Sequence, residues 1–220
     1  MSPNGSRVAS HEGELRQVPL PTRRQAGFSL TELIVALLVA VILLAVSMPL
    51  FLRAYRSYQL TNAAHQMADI LRLTRYEAIR LNKQVNCVIG PYAADPTITS
   101  ASMTDSGGNA LTGMGATTIL LGNTGNLVNP GGVPGTPTLL SQSNIGSMPT
   151  QTWPTVTTVE FDARGAVIPI PSVSANTYVN VLYLASPAAP DAGYRAVLLM
   201  PAGSIQIWSA DSSGYWQELR

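Results

Sequence analysis

The chain has 220 residues, enough for one domain with a helical extension, and 11% of them are charged, where about 25% is usual for a soluble domain. Hydrophobic residues reach 46%, with much of the excess in one segment, and the formal net charge is +1. A single cysteine, Cys87, excludes an intrachain disulfide, and its apolar setting, Val85-Asn86-Cys87-Val88-Ile89, suits a buried small residue better than a reactive thiol.

Residues 1–22 are polar, contain Pro3, Pro19 and Pro21, and show no periodicity, which predicts disorder. Residues 1–27 carry Arg7, Arg16, Arg23 and Arg24 against Glu12 and Glu14. From Phe28 to Leu52 the only charge is Glu32, and Leu33 to Val46 is an unbroken apolar run. As a helix, 25 residues rise about 37 Å, enough to cross a bilayer core of about 30 Å. The arginine pair ahead of it predicts a cytoplasmic N-terminus. A secretory signal peptide is shorter and ends in a small-residue cleavage site, which is absent here. A plain anchor accounts for the length but not for Glu32 near its start or Pro49 near its end.

The junction reads Arg23-Arg24-Gln25-Ala26-Gly27-Phe28-Ser29-Leu30-Thr31-Glu32-Leu33. A basic leader ending in Gly, then Phe, three residues, Glu and an apolar helix resembles the class III signal of type IV pilins and of the pseudopilins of type II secretion. The resemblance implies that a prepilin peptidase cuts between Gly27 and Phe28 and that the new Phe28 nitrogen is methylated. It therefore implies a leader over 1–27, a transmembrane helix over 28–52, and an inner-membrane, single-pass protein whose head is periplasmic before it enters a filament.

Beyond Pro49, Leu60, Ala64, Met67, Leu71, Thr74, Ala78 and Leu81 recur at spacings of four and three, one face of a helix. Arg53, Arg56, Arg72, Arg75, Arg80 and Lys83, with Asp69 and Glu77, are assigned to the other face. The amphipathic half, 53–83, needs a partner, and the β-rich remainder, 84–220, supplies one. Candidate strands are Gln84–Ile89, Thr117–Leu121, Thr155–Phe161, Ala166–Ile170, Thr177–Leu184, Tyr194–Met200 and Ser204–Ser209. Asp162-Ala163-Arg164-Gly165 and Pro201-Ala202-Gly203 read as hairpin turns, with Asp162 a turn former. Residues 91–116 and 122–154, rich in Gly, Pro, Ser, Thr and Asn, read as long surface loops. The expected fold class is α+β, a long N-terminal helix packed on an antiparallel β-rich head.

The stretches Thr158–Gly165 and Tyr194–Gly203 are similar to the GspH/FimT domain, which implies a minor pilin or minor pseudopilin. In that family DNA uptake is tied to arginines after the Gly of the last hairpin. Here Gly203-Ser204-Ile205-Gln206-Ile207-Trp208 holds none, and residues 84–220 carry three basic against seven acidic residues, so nucleic acid is not expected as a partner.

A carboxylate in an apolar bilayer costs several kcal/mol unless paired or neutralised. The resemblance assigns Glu32 to pairing with the positive amino terminus of a neighbouring subunit; an interfacial Glu reaching the headgroups is the alternative. Pro49 lacks an N–H and disturbs the helix a turn upstream, through tolerance or as a kink used in filament packing. No catalytic set, metal cluster or cofactor motif can be assembled; His65 is the sole histidine after Gly27. The expected function is structural: a subunit of a type II secretion pseudopilus or a type IV pilus, its partners being prepilin peptidase, other subunits and inner-membrane lipid. A DNA-receptor minor pilin and a non-polymerising membrane-anchored envelope domain are the alternatives.

Overall fold

The computed structural model describes residues 29–111, 118–122, 125–128, 132–141, 150–152, 158–169, 178–187 and 189–219. The chain divides into two compact units, Met1–Leu44 and Ala45–Arg220. Helix α1, Leu30–Leu81, is 52 residues long and begins in the first unit. The described part of that unit is this helix with Ser29 ahead of it, and its apolar side chains are exposed throughout.

In the second unit the helix meets its expected partner. Leu60, Ala64, Met67, Leu71, Thr74 and Ala78, the face read from the periodicity, are all fully buried, and Leu81 packs at the edge of the core. Residues three or four apart stack along one side of a helix, so this seam can lie continuously on a sheet. Two residues assigned to the outer face do not belong there. Glu77 is buried and paired with Arg80, Nε to Oε2 at 2.6 Å, and Arg75 lies half-buried beneath two hairpin turns. Helical geometry explains both: Arg75 follows Leu71 by four residues and Glu77 follows Thr74 by three, so each is only about 40–60° from the buried line.

Two sheets complete the unit. The first has the order β3-β2-β1-β6, with β1 Val85–Tyr92, β2 Asp95–Asp105, β3 Thr118–Leu120 and β6 Thr158–Phe161. The second has the order β10-β9-β8-β7-β4, with β4 Asn126–Leu127, β7 Val179–Ala185, β8 Tyr194–Leu199, β9 Ile205–Ala210 and β10 Trp216–Leu219. β5, Thr150–Thr152, also pairs with β7. The helix seam, the inward residues of the first sheet (Val85, Cys87, Ile89, Ala101, Met103, Val159, Phe161) and those of the second (Leu182, Leu184, Val197, Leu199, Ile207) gather into one core.

Several expectations need correction. Residues 91–116 are not a long loop, since β2 takes eleven of them and pairs with β1 along its length. Its inward residues Thr99, Ala101 and Met103 alternate with Ser and Thr, so the period of two is there but carried by small side chains. Pro91 and Pro96, which argue against a strand, lie beside the irregular register at Pro91/Tyr92, near the hairpin end where prolines are tolerated. Residues 122–154 contain β4 and β5, and Val128, Val133, Leu139 and Leu140 from this stretch cover the outer face of the second sheet. That face is a second core of Val179, Val181, Tyr183, Leu198, Trp208 and Trp216. It explains why β7 is buried on both faces and reads as a continuous apolar run rather than an alternation.

The sheets are antiparallel except for β5, which runs parallel to β7 and shares its second edge with β4. Ala166–Ile170 forms no regular strand in its described residues, 166–169. Val167 makes an isolated bridge to Phe161 and donates its N–H to Pro201 O instead, and Pro169 has no N–H to give. The sequence does not predict β10, a short strand in which exposed Gln217 and Glu218 follow Trp216 one after the other and break any alternation.

Candidate functional site

The residues singled out at the N-terminus divide at Ser29. Gly27 and Phe28 lie outside the described residues. Helix α1 opens at Leu30, with Ser29 O accepting the Leu33 N–H at 3.1 Å and Ser29 Oγ 2.8 Å from Thr31 Oγ1. Glu32 therefore stands in the first turn, where a carboxylate faces free N–H groups and the positive end of the helix dipole. It is exposed, and among the described residues no cation stands within ion-pair distance of it. Pro49 lies inside the continuous helix and withholds the donor that Ala45 O would otherwise receive.

Around these two residues the surface is apolar. Leu33, Ile34, Val35, Leu37, Leu38, Val39, Val41, Ile42, Leu43, Leu44 and Val46 are each about half exposed or more, and none is covered by another part of the described chain. Soluble monomers rarely expose contiguous apolar patches beyond a few hundred Å². The helix is long and apolar enough to cross a membrane.

The motifs of the second unit converge on the helix at two arginines. Gly165 and Gly203 both have positive φ, +78° and +81°. A Cβ on Gly165 would stand 2.9 Å from Arg75 Nε, and one on Gly203 would stand 2.7 Å from the same atom. Arg75 Nη1 donates to Gly203 O at 3.0 Å. The turns Asp162–Gly165 and Pro201–Gly203 are thus seated on one helical side chain, which requires glycine at both contacts. Asp162 forms its turn as expected, Oδ1 accepting from Arg164 N and Ala166 N at 2.8 Å each.

Arg195 on β8 is the second. It is 5% exposed, yet no carboxylate pairs with it among the described residues. Its Nε donates to Thr61 Oγ1 at 3.0 Å, Nη2 to Ser57 Oγ at 2.8 Å and Ser57 O at 3.3 Å, and Nη1 to Tyr194 O at 2.8 Å. Burial lowers its pKa from the ordinary arginine value. Neither arginine role was read from the sequence, although an arginine inside the apolar run Tyr194–Met200 was a usable signal.

Cys87 is fully buried, and desolvation, only partly offset by a hydrogen bond with Thr74, pushes its thiol up to about 12. It is therefore a protonated core residue at neutral pH. Among the described residues no group of three His, Cys, Asp or Glu side chains could hold a metal ion.

The family model described as the prokaryotic N-terminal methylation motif matches residues 22–48. The match is confined to this N-terminal segment of the chain. The matched span holds Gly27, Phe28, Glu32 and the exposed apolar run from Leu33 to Val46, so over its described residues the motif overlaps helix α1. Two crystal structures of the Pseudomonas aeruginosa (strain PAO1) type IV minor pilin FimU show a likeness to it. The first, in space group P65, is 15% identical with a TM-score of 0.42 over 73% of this chain and 98% of that one. The second, in space group P21, is 11% identical with a TM-score of 0.31 over 74% and 90%. Neither likeness, at these scores, bears on function. No curated protein matches the chain.

Proposed function

We propose that this chain is a minor pilin or pseudopilin, a structural subunit that joins or initiates a type II secretion pseudopilus or a type IV pilus after its leader is removed. The observation that carries the reading is the methylation motif over residues 22–48, which runs into a helix whose apolar surface no described part of the chain covers.

The steps follow from the residues. Arg23 and Arg24 hold the leader on the cytoplasmic side while the apolar segment enters the inner membrane. Prepilin peptidase cuts between Gly27 and Phe28, where Gly27 offers no side chain as an obstruction, and the Phe28 nitrogen is methylated. The new amino terminus is a cation only four residues from Glu32. A carboxylate and an ammonium that close together in a bilayer gain from pairing. Pairing between adjacent subunits fixes the axial register of one helix on the next, and Pro49 loosens the helix where the subunits pack. The mildly acidic head, with three basic and seven acidic residues from 84 onward, speaks against nucleic acid as a ligand.

The test is to express the full chain with an active prepilin peptidase and measure its intact mass in isolated membranes. The expected product begins at Phe28 and carries one methyl group, and Gly27→Leu leaves the full-length chain. A native chain that keeps residues 1–27 beside an active peptidase refutes the reading.

A further inference from the structure

We propose that the cavity beneath the N-terminal part of the second unit is a binding site for a zwitterionic phospholipid headgroup, with phosphate on its arginines and a primary ammonium on its aspartates. The proposal rests on the membrane-anchored reading given above. The cavity has a volume of about 280 Å³, at the low end of the roughly 300–1,000 Å³ of small-molecule sites. Arg53 and Ser57 of α1, Asp191, Arg195 of β8, Asp211 and Tyr215 are among the residues that line it.

Three observations point to this ligand. Arg195 is a buried cation that pairs with no carboxylate among the described residues, and burial of an uncompensated charge costs several kcal/mol. A guanidinium has five N–H donors, and the four acceptors around Arg195 leave one for a ligand. Arg53, at the rim, adds a second guanidinium, the group best shaped for phosphate.

The carboxylates exclude a bare anion as the best occupant. Asp191 faces Arg56 only loosely, at 3.9 Å. Asp211 engages Ser213 and Tyr215 through Oδ1, which leaves Oδ2 uncommitted among the described residues. Two cations and two anions around one small cavity match a ligand that carries one phosphate and one ammonium. A quaternary ammonium has no N–H to give the aspartates, so the match is to phosphatidylethanolamine rather than phosphatidylcholine.

The position along the helix fits as well. Leu52 ends the apolar stretch, and Arg53 and Ser57 follow it by one and five residues, about 1.5 and 7.5 Å of helix rise. The headgroup layer on each side of a bilayer is about 5–7 Å thick. The cavity that Arg53 and Ser57 help to line therefore begins at headgroup depth.

The test is native mass spectrometry of the full chain in detergent, titrated with phosphatidylethanolamine, phosphatidylglycerol and phosphatidylcholine of matched acyl chains. The expected result is retention of phosphatidylethanolamine at least about fivefold above the other two, lost in Arg53→Ala and Asp191→Asn, both solvent-facing changes outside the core. Phosphoethanolamine is expected to displace the lipid and inorganic phosphate at the same concentration is not. Equal retention of the three lipids, retention unchanged by both variants, or displacement by inorganic phosphate alone overturns the proposal. Membrane residence is read separately by an alkaline wash of isolated membranes. A chain released by the wash overturns both readings, whereas a retained chain without lipid preference overturns only this one.

Discussion

Replacing Gly203 with alanine tests the seating of the two turns on Arg75. Gly203 has φ of +81°, and its added Cβ would stand 2.7 Å from Arg75 Nε and 3.0 Å from its Cδ, with Gly165 O closer still. The left-handed backbone alone costs an L-residue about 1–2 kcal/mol, and forcing a methyl group into packed surroundings costs about 1–3 kcal/mol more. Gly108 supplies the control, since it has φ of +83° and nothing within 4 Å of its Cβ position. Gly108→Ala is therefore expected to lose only the backbone part, and Gly203→Ala to lose about 1–3 kcal/mol beyond it. Urea unfolding of the full chain in detergent, followed by tryptophan fluorescence, measures both. Part of the Gly203→Ala cost should disappear in an Arg75→Ala background, because contacting residues are not additive. Equal losses in Gly203→Ala and Gly108→Ala, within about 0.5 kcal/mol, refute the close approach.

Glu32→Gln is expected to leave processing at Gly27 intact while reducing incorporation into filaments, checked by the mature mass and by the amount of subunit in sheared filament fractions; unchanged incorporation argues for a passive anchor. Cys87 makes a pH-dependent contribution. Its thiol lies at about 12 when folded against 9.0 when free, so the folded state holds the proton more tightly and the stabilisation is present below pH 9 and lost as pH rises through 12. Between pH 8 and 10 the native chain should lose on the order of 1 kcal/mol more than Cys87→Ala, and parallel slopes for the two proteins contradict that. Trp216 packs against Tyr183 with the rings tilted at 60° and their centroids 5.8 Å apart, and it donates to Pro134 O at 3.1 Å; Trp216→Ala should cost about 3–5 kcal/mol in the same unfolding assay.

The helix was legible because its signals are strong and local: an unbroken apolar run, then a seam at spacings of four and three that the structure fully buries from Leu60 to Ala78. The hairpin β8–β9 and its Pro201-Ala202-Gly203 turn were legible for the same reason. β2 was hidden because its inward positions are Thr99, Ala101 and Met103, whose small, mostly polar neighbours imitate a loop. The cover over the second sheet was hidden because Val128, Val133, Leu139 and Leu140 are scattered among Gly and Pro and acquire meaning only once β7 exposes a second apolar face. Arg75 and Arg195 are hard to place from sequence because charge ordinarily marks a solvent-facing position. A long side chain can keep its stem among apolar neighbours and spend its guanidinium on carbonyl and hydroxyl oxygens across the core. Gly27 and Phe28 are legible from the sequence pattern alone and lie outside the described residues.

The meeting of both glycine turns on Arg75 has a mechanical consequence. An apolar seam resists being peeled away from a sheet, but it resists sliding poorly, because one methyl group is much like the next. Arg75 rises from the helix between two backbone loops, with Gly203 O bonded to its tip and no side chain at either contacting glycine to yield. A pull along the axis of residues 45–81 must drive that side chain against rigid main chain, so tension is handed to the β-sheets at a fixed point instead of being dissipated along the seam.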